Sequence, residues 1–135
     1  MYLILQQDKP EDFVIATGVT TSIRKFVKMA FAHVGITLDF EGEGEDEIAK
    51  VAKCEKDGYQ LPIGQTVVQV DPKYFRPIEA DLLLGDPTKS KEKLGWKPKY
   101  DLQALVDDMM SSDLELLSRD QLLKESGHKV FQHRD

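Results

Sequence analysis

The chain has 135 residues, of which 41% are hydrophobic and 31% charged, and a formal net charge of -6. That balance suits one globular domain able to bury a core without disulfides or metal, and it excludes a disordered chain. The acidic excess excludes a broad electrostatic attraction to nucleic acid or to an anionic membrane, so an anionic ligand has to be caught by individual residues.

"MYLILQQDKP" opens with apolar residues and no N-cap, as though the chain began inside a helix. A severed start and a native start with a frayed first helix fit it equally. Pro10 and Glu11-Asp12 end that segment, and "FVIAT", Phe13 to Thr17, predicts a buried strand that stops at Gly18. Thr20, Thr21 and Ser22 offer N-cap oxygens for a helix. Ile23, Phe26, Val27, Ala30, Phe31 and Val34 form one apolar stripe at helical spacing, and Gly35 is placed to close the helix in a left-handed conformation. "ITLDF" alternates as a strand does, "EGEGEDE" reads as a loop or irregular strand connection, and the stretch leading to Cys54 reads as helix or strand.

"KDGYQLPIGQ" is rich in turn residues, and "TVVQV" is a short strand ahead of the Asp71-Pro72 break. Asp86 as a cap, Pro87 at the first helical position, and Gly95 with Pro98 at the exit predict a helix over Thr88 to Leu94. Asp101 caps a longer helix carrying Leu102, Leu105, Val106 and Met109, extended by Leu114 and Leu117. Ser118 with Gln121 matches a capping box, which predicts a separate short helix through Leu122 and Leu123 to Gly127, followed by a loose tail. The expected fold is a small mixed α/β domain with a few short strands and about four helices, too few strands for a full doubly wound sheet.

Several chemistries lack their residues. No G-x-G-x-x-G or G-x-x-x-x-G-K-[ST] opens a helix, and the glycines of "EGEGEDE" are ringed by carboxylates that repel a pyrophosphate. His33, His128 and His133 have no partners at metal-ligand spacing, so no metal is expected, and His33 reads as a surface residue. Cys54, the only cysteine, rules out an internal disulfide, reads as a small packing residue, and makes a reducing, cytoplasmic setting the expectation. No tyrosine has a lysine four positions later, and no catalytic set is complete. No apolar run is long enough to cross a bilayer, and no signal-peptide pattern opens the chain.

"YFRPIEADLLLGDPTKSKEK" is the remaining candidate. Arg76 carries a planar fork suited to a phosphate or diphosphate, and Pro77 stiffens the backbone after it. Glu79 falls on the same side if the segment turns once, and a carboxylate accepts well from two neighbouring sugar hydroxyls. A plain surface ion pair between Arg76 and Glu79 explains the same residues and is favoured on their spacing alone. Lys89, Lys91 and Lys93 read as a solvated helix face.

"LQQDKPEDFVIATG", "DPKYFRPIEADLLLGDPTKSKEKLGWKP" and "LLKESGH" closely resemble the C-terminal part of the GDP-mannose 4,6-dehydratase family, which are extended short-chain dehydrogenases/reductases with a Rossmann-type cofactor domain. The resemblance runs through nearly the whole chain and is loosest from Glu45 to Gln65. It implies that residues 1–135 form a GDP-sugar-binding domain, with NADP(H) and the catalytic residues on a Rossmann domain not contained in this sequence. Arg76 then matches the family arginine at the GDP diphosphate, Glu79 the carboxylate at the ribose, and Tyr74 flanks the motif.

The resemblance further implies a lyase of GDP-fucose and related deoxy-sugar synthesis, weak GDP-mannose binding by this chain alone, no cofactor and no catalytic residue on it, and a homo-oligomer. The alternative is a non-catalytic module that docks onto a separately encoded cofactor domain. Val19 and Thr21 stand where the family usually has Glu and His, which puts a substrate role for that turn in doubt.

Overall fold

The computed structural model describes residues 1–77 and 82–129. Element order is α1 (Tyr2–Leu5), α2 (Ile23–His33), β1 (Ile36–Glu41), a 3-10 turn (Gly44–Asp46), β2 (Ile48–Cys54), β3 (Thr66–Gln69), α3 (Thr88–Leu94) and α4 (Leu102–Glu125). The chain is therefore a small mixed α/β domain, with a three-stranded antiparallel sheet in the order β1-β2-β3.

Helix α2 starts where the sequence offers its caps: the Ser22 hydroxyl accepts from the Lys25 N–H at 3.2 Å. Its stripe is buried unevenly. Val34 is buried and Val27 and Phe31 pack on the core, while Ile23 is 78% exposed. Gly35 turns the chain into β1 with φ at 76°, and a Cβ there would come within 2.6 Å of the Lys56 side chain. A larger residue at this position meets both a disfavoured backbone region and a close neighbour.

In β1 the alternation works as expected, with Ile36 and Leu38 buried and Thr37 and Asp39 exposed. β1 pairs with β2, and the register jumps from Thr37↔Lys53 to Leu38↔Val51, leaving Ala52 as a bulge. Ala49 and Val51 of β2 and Val34, Ile36 and Leu38 form the buried centre, covered by α2 and by Met110 and Leu114 of α4. The centre strand is thus a segment whose Ala and Lys content gives little strand signal of its own; pairing on both edges makes it one.

Two expectations fail. "FVIAT" is extended but is not a strand, because among the described residues 13–17 have no ladder partner. Val14 and Ile15 are half exposed, and the segment lies instead against α3 and the chain around Gly85, where a Cβ would come within 2.6 Å of Ala16 Cβ. The second failure is the break at Ser118. α4 runs unbroken for 24 residues, capped by Asp101, whose carboxylate accepts from the Ala104 N–H at 2.8 Å. No glycine or proline falls between Leu102 and Glu125, so a capping pattern within good helix formers is overridden by propagation of the helix.

Candidate functional site

The segment bearing the candidate residues leaves β3 through a turn built on Asp71. The Asp71 carbonyl accepts from the Tyr74 and Phe75 N–H groups at 3.0 and 3.2 Å, and its side chain accepts from the Lys73 N–H at 2.9 Å. Phe75 is half-buried and reaches toward the 3-10 turn, within 3.8 Å of where a Cβ on Gly44 would stand. That anchor throws its neighbours outward. Tyr74 is 71% exposed, with the Lys73 ammonium 5.2 Å from its ring centroid, and Arg76 is exposed and makes no ion pair among the described residues. Glu79 lies outside the described residues, as does most of the tail. Of the proposed trio, the fold exposes Tyr74 on the turn and Arg76 just past it.

Where the chain returns, helix α3 spans Thr88–Leu94 as anticipated, but Pro87 is its N-cap rather than its first helical residue, and Asp86 stands one position earlier. The Asp86 carboxylate accepts from the Thr88 N–H at 3.0 Å and from the Thr88 hydroxyl, and these bonds hold its pKa below the ordinary value. Gly95 closes the helix at φ 62°.

The lysines of α3 do not form the free face expected of them. Lys89 and Lys93 are one turn apart and both reach Glu11, at 2.9 and 2.7 Å. Lys89 also donates to the Asp12 carbonyl at 2.9 Å and lies 4.8 Å from the Phe13 ring centroid. Between them Ser90, fully buried, donates to the Val14 carbonyl at 2.6 Å. Hydrogen bonds first from Lys93 and then from Lys89 pull the Glu11 carboxyl down to about 2. The signal for this face was the pair of lysines at i and i+4 flanking a small hydroxyl residue, opposite an acidic segment distant in sequence.

His33 is the other correction. Its Nδ1 lies 3.0 Å from Asp107 Oδ1, linking the end of α2 to α4, and its side chain is only 23% exposed. Asp107 also accepts from Gln103 at 3.0 Å, and His33 and then Gln103 hold its carboxyl below the usual range. The stripe of α2 turned one edge toward α4, which a single-helix pattern does not reveal. Cys54 behaves as a packing residue beside the core, its Sγ 3.4 Å from the Leu61 carbonyl.

Beside these lies an open groove of about 1060 Å³ between Thr17, Val19 and Thr21 on one wall and Tyr100, Asp101 and Leu105 at the start of α4 on the other. Val19 and Tyr100, each 73% exposed, give it apolar rims.

Comparison with known proteins identifies the family of the chain. A sequence model of the family described as GDP-mannose 4,6 dehydratase matches residues 1–109. The chain is 49% identical over 130 residues to a GDP-mannose 4,6-dehydratase of Vibrio cholerae, covering 96% of this chain and 35% of that protein. It is 47% identical over 117 residues to the human GDP-mannose 4,6 dehydratase, with 87% and 29% covered, and 47% identical over 120 residues to GDP-mannose 4,6 dehydratase 2 of Caenorhabditis elegans, with 89% and 29% covered. The chain spans about a third of the length of these relatives. With a family match over most of its residues and near-half identity to relatives from bacteria and animals, this chain belongs to the GDP-mannose 4,6-dehydratase family.

Proposed function

We propose that residues 1–135 are the C-terminal, GDP-sugar-binding part of a GDP-mannose 4,6-dehydratase, the cytoplasmic NADP-dependent lyase that converts GDP-mannose to GDP-4-dehydro-6-deoxymannose and water on the way to GDP-fucose and other deoxy sugars. The observation that carries this reading is Arg76, an exposed arginine without an ion-pair partner among the described residues, next to Phe75 of the Asp71 turn and within a family match that spans residues 1–109. Its fork meets the diphosphate of GDP bidentately, Tyr74 borders the bound nucleotide, and Glu79 accepts from the ribose hydroxyls.

NADP(H) and the catalytic residues belong to a cofactor domain. This reading assigns no chemical step to the chain. GDP-mannose binds it weakly, in the millimolar range or about -4 kcal/mol, because one arginine and one carboxylate hold only part of a nucleotide sugar. Val14, Ile15, Leu82, Leu83 and Leu84 are all at least half exposed. This strip is the face toward the cofactor domain, and residues 1–135 taken alone self-associate through it.

Titration with GDP-mannose followed by amide NMR tests the reading. Shifts centred on Tyr74 to Pro77 that vanish in Arg76→Ala are expected; shifts elsewhere, or shifts unchanged by the substitution, contradict it.

A further inference from the structure

Two sets of contacts hold the chain together, and they differ in chemistry. The first is apolar: the cluster around Ala49 and Val51 is drawn from α2, the sheet, its loops and α4. Among the described residues, nothing from 1–20 or 82–98 belongs to it. The second set joins those two stretches to each other and is mainly polar, with Pro87 buried beside Gly18 as its chief apolar member. Glu11 bridges Lys89 and Lys93, the Asp12 carbonyl takes Lys89, and the Val14 carbonyl takes the Ser90 hydroxyl. Further along, the Thr20 hydroxyl donates to the Leu83 carbonyl at 3.3 Å, and Ala16 abuts Gly85. Ser90 is the only residue that α3 buries.

Large opening free energies come from buried apolar surface, and segments with little of it open locally before the molecule unfolds. We propose that residues 11–20 form a strap clasped by α3, which releases together with α3 while the sheet, α2 and α4 remain folded, and that the Glu11–Lys89–Lys93 contact makes this release depend on ionic strength. The geometry supports a clasp rather than incidental pairing. Lys89, Ser90 and Lys93 share one helix face, and their contacts fall on Glu11, Asp12 and Val14 in turn, so strap and helix run alongside each other. Since the partners of both lysines are exposed carboxylate and carbonyl groups, salt screens the ionic part and leaves the Ser90 hydrogen bond. Release moves Thr17 and Val19, and with them one wall of the groove facing α4.

The chain carries its own probe, since Trp96 is the only tryptophan and its backbone N–H donates to the Ser90 carbonyl at 3.4 Å. Urea unfolding is followed by Trp96 fluorescence and by far-UV circular dichroism, which reports mainly α2 and α4, at about 50 mM and about 500 mM salt. The expected result is a fluorescence midpoint below the dichroism midpoint, with salt lowering the fluorescence midpoint more than the other. Glu11→Gln raises the released population about two- to fivefold at low salt and abolishes most of the salt response. Ser90→Ala raises it on the order of tenfold at both salts. Coincident midpoints at both salts, or a wild-type salt response in Glu11→Gln, overturn the proposal. Glu11 is exposed on its free side and the change is conservative, so this variant carries the test even if Ser90→Ala fails to fold.

Discussion

Leu38→Ala removes a side chain that is 4% exposed, on the strand that pairs with the centre of the sheet. Leu38 sits opposite Val51 immediately beside the bulge, in the same cluster as Val34, Ile36 and Ala49. Three carbons leave a site with no solvent to replace them. At about 0.8 kcal/mol per buried CH₂ the lost transfer term is about 2.4 kcal/mol. The cavity left behind adds to it, because the strand is held on one edge by β2 and cannot collapse freely, which brings the total to about 3 kcal/mol. That is a large part of the ~5–15 kcal/mol that a domain of this size has in all. Urea unfolding monitored by circular dichroism, with the slope held common between variants, measures it. A loss below about 1 kcal/mol would mean that Leu38 is not enclosed by α2 and the sheet as described.

Gly42→Ala should cost about 2–4 kcal/mol by the same assay, since φ is 81° and a Cβ would collide with the Asp46 carbonyl oxygen, backbone that cannot step aside. An equal midpoint for the two proteins contradicts the tight connection between β1 and β2. Acid should weaken the fold through Asp107 and Glu11, whose carboxyls are held below their ordinary values, Glu11 down to about 2. Their contribution is fully present above the unfolded carboxylate pKa and is lost as pH falls through the lowered folded value, for Glu11 between 4.5 and about 2. Asp107→Asn should therefore flatten the acid limb of a stability-against-pH curve; an unchanged limb would show that the His33 contact contributes nothing in solution.

Legibility in the sequence followed the range of the interactions. α2, α3 and the start of α4 were readable because their signals are local: Ser22, Asp86 and Asp101 each accept the N–H groups that begin a helix, and Gly35 and Gly95 end one with positive φ. β2 was not, because Ala and Lys in "IAKVAKC" say little until β1 and β3 pair with it on either side. "FVIAT" erred in the opposite direction, having strand composition without a ladder among the described residues. The candidate site was marked in the sequence only by residue types, an arginine and an aromatic beside prolines, while what joins the neighbouring segments, Glu11 with Lys89 and Lys93, spans most of the chain and leaves only an unremarkable charge pattern. His33 likewise found its carboxylate on α4, 74 positions away.

The central claim is that Arg76 gives this chain a site for a nucleoside diphosphate, and amide NMR during titration with GDP and GDP-mannose addresses it most directly. Saturable shifts at Tyr74, Phe75 and Arg76 at millimolar ligand, lost in Arg76→Ala while β1 and β2 resonances stay in place, are the predicted result. Binding of comparable strength in Arg76→Ala, or no shifts near Arg76 at saturating ligand, would contradict it.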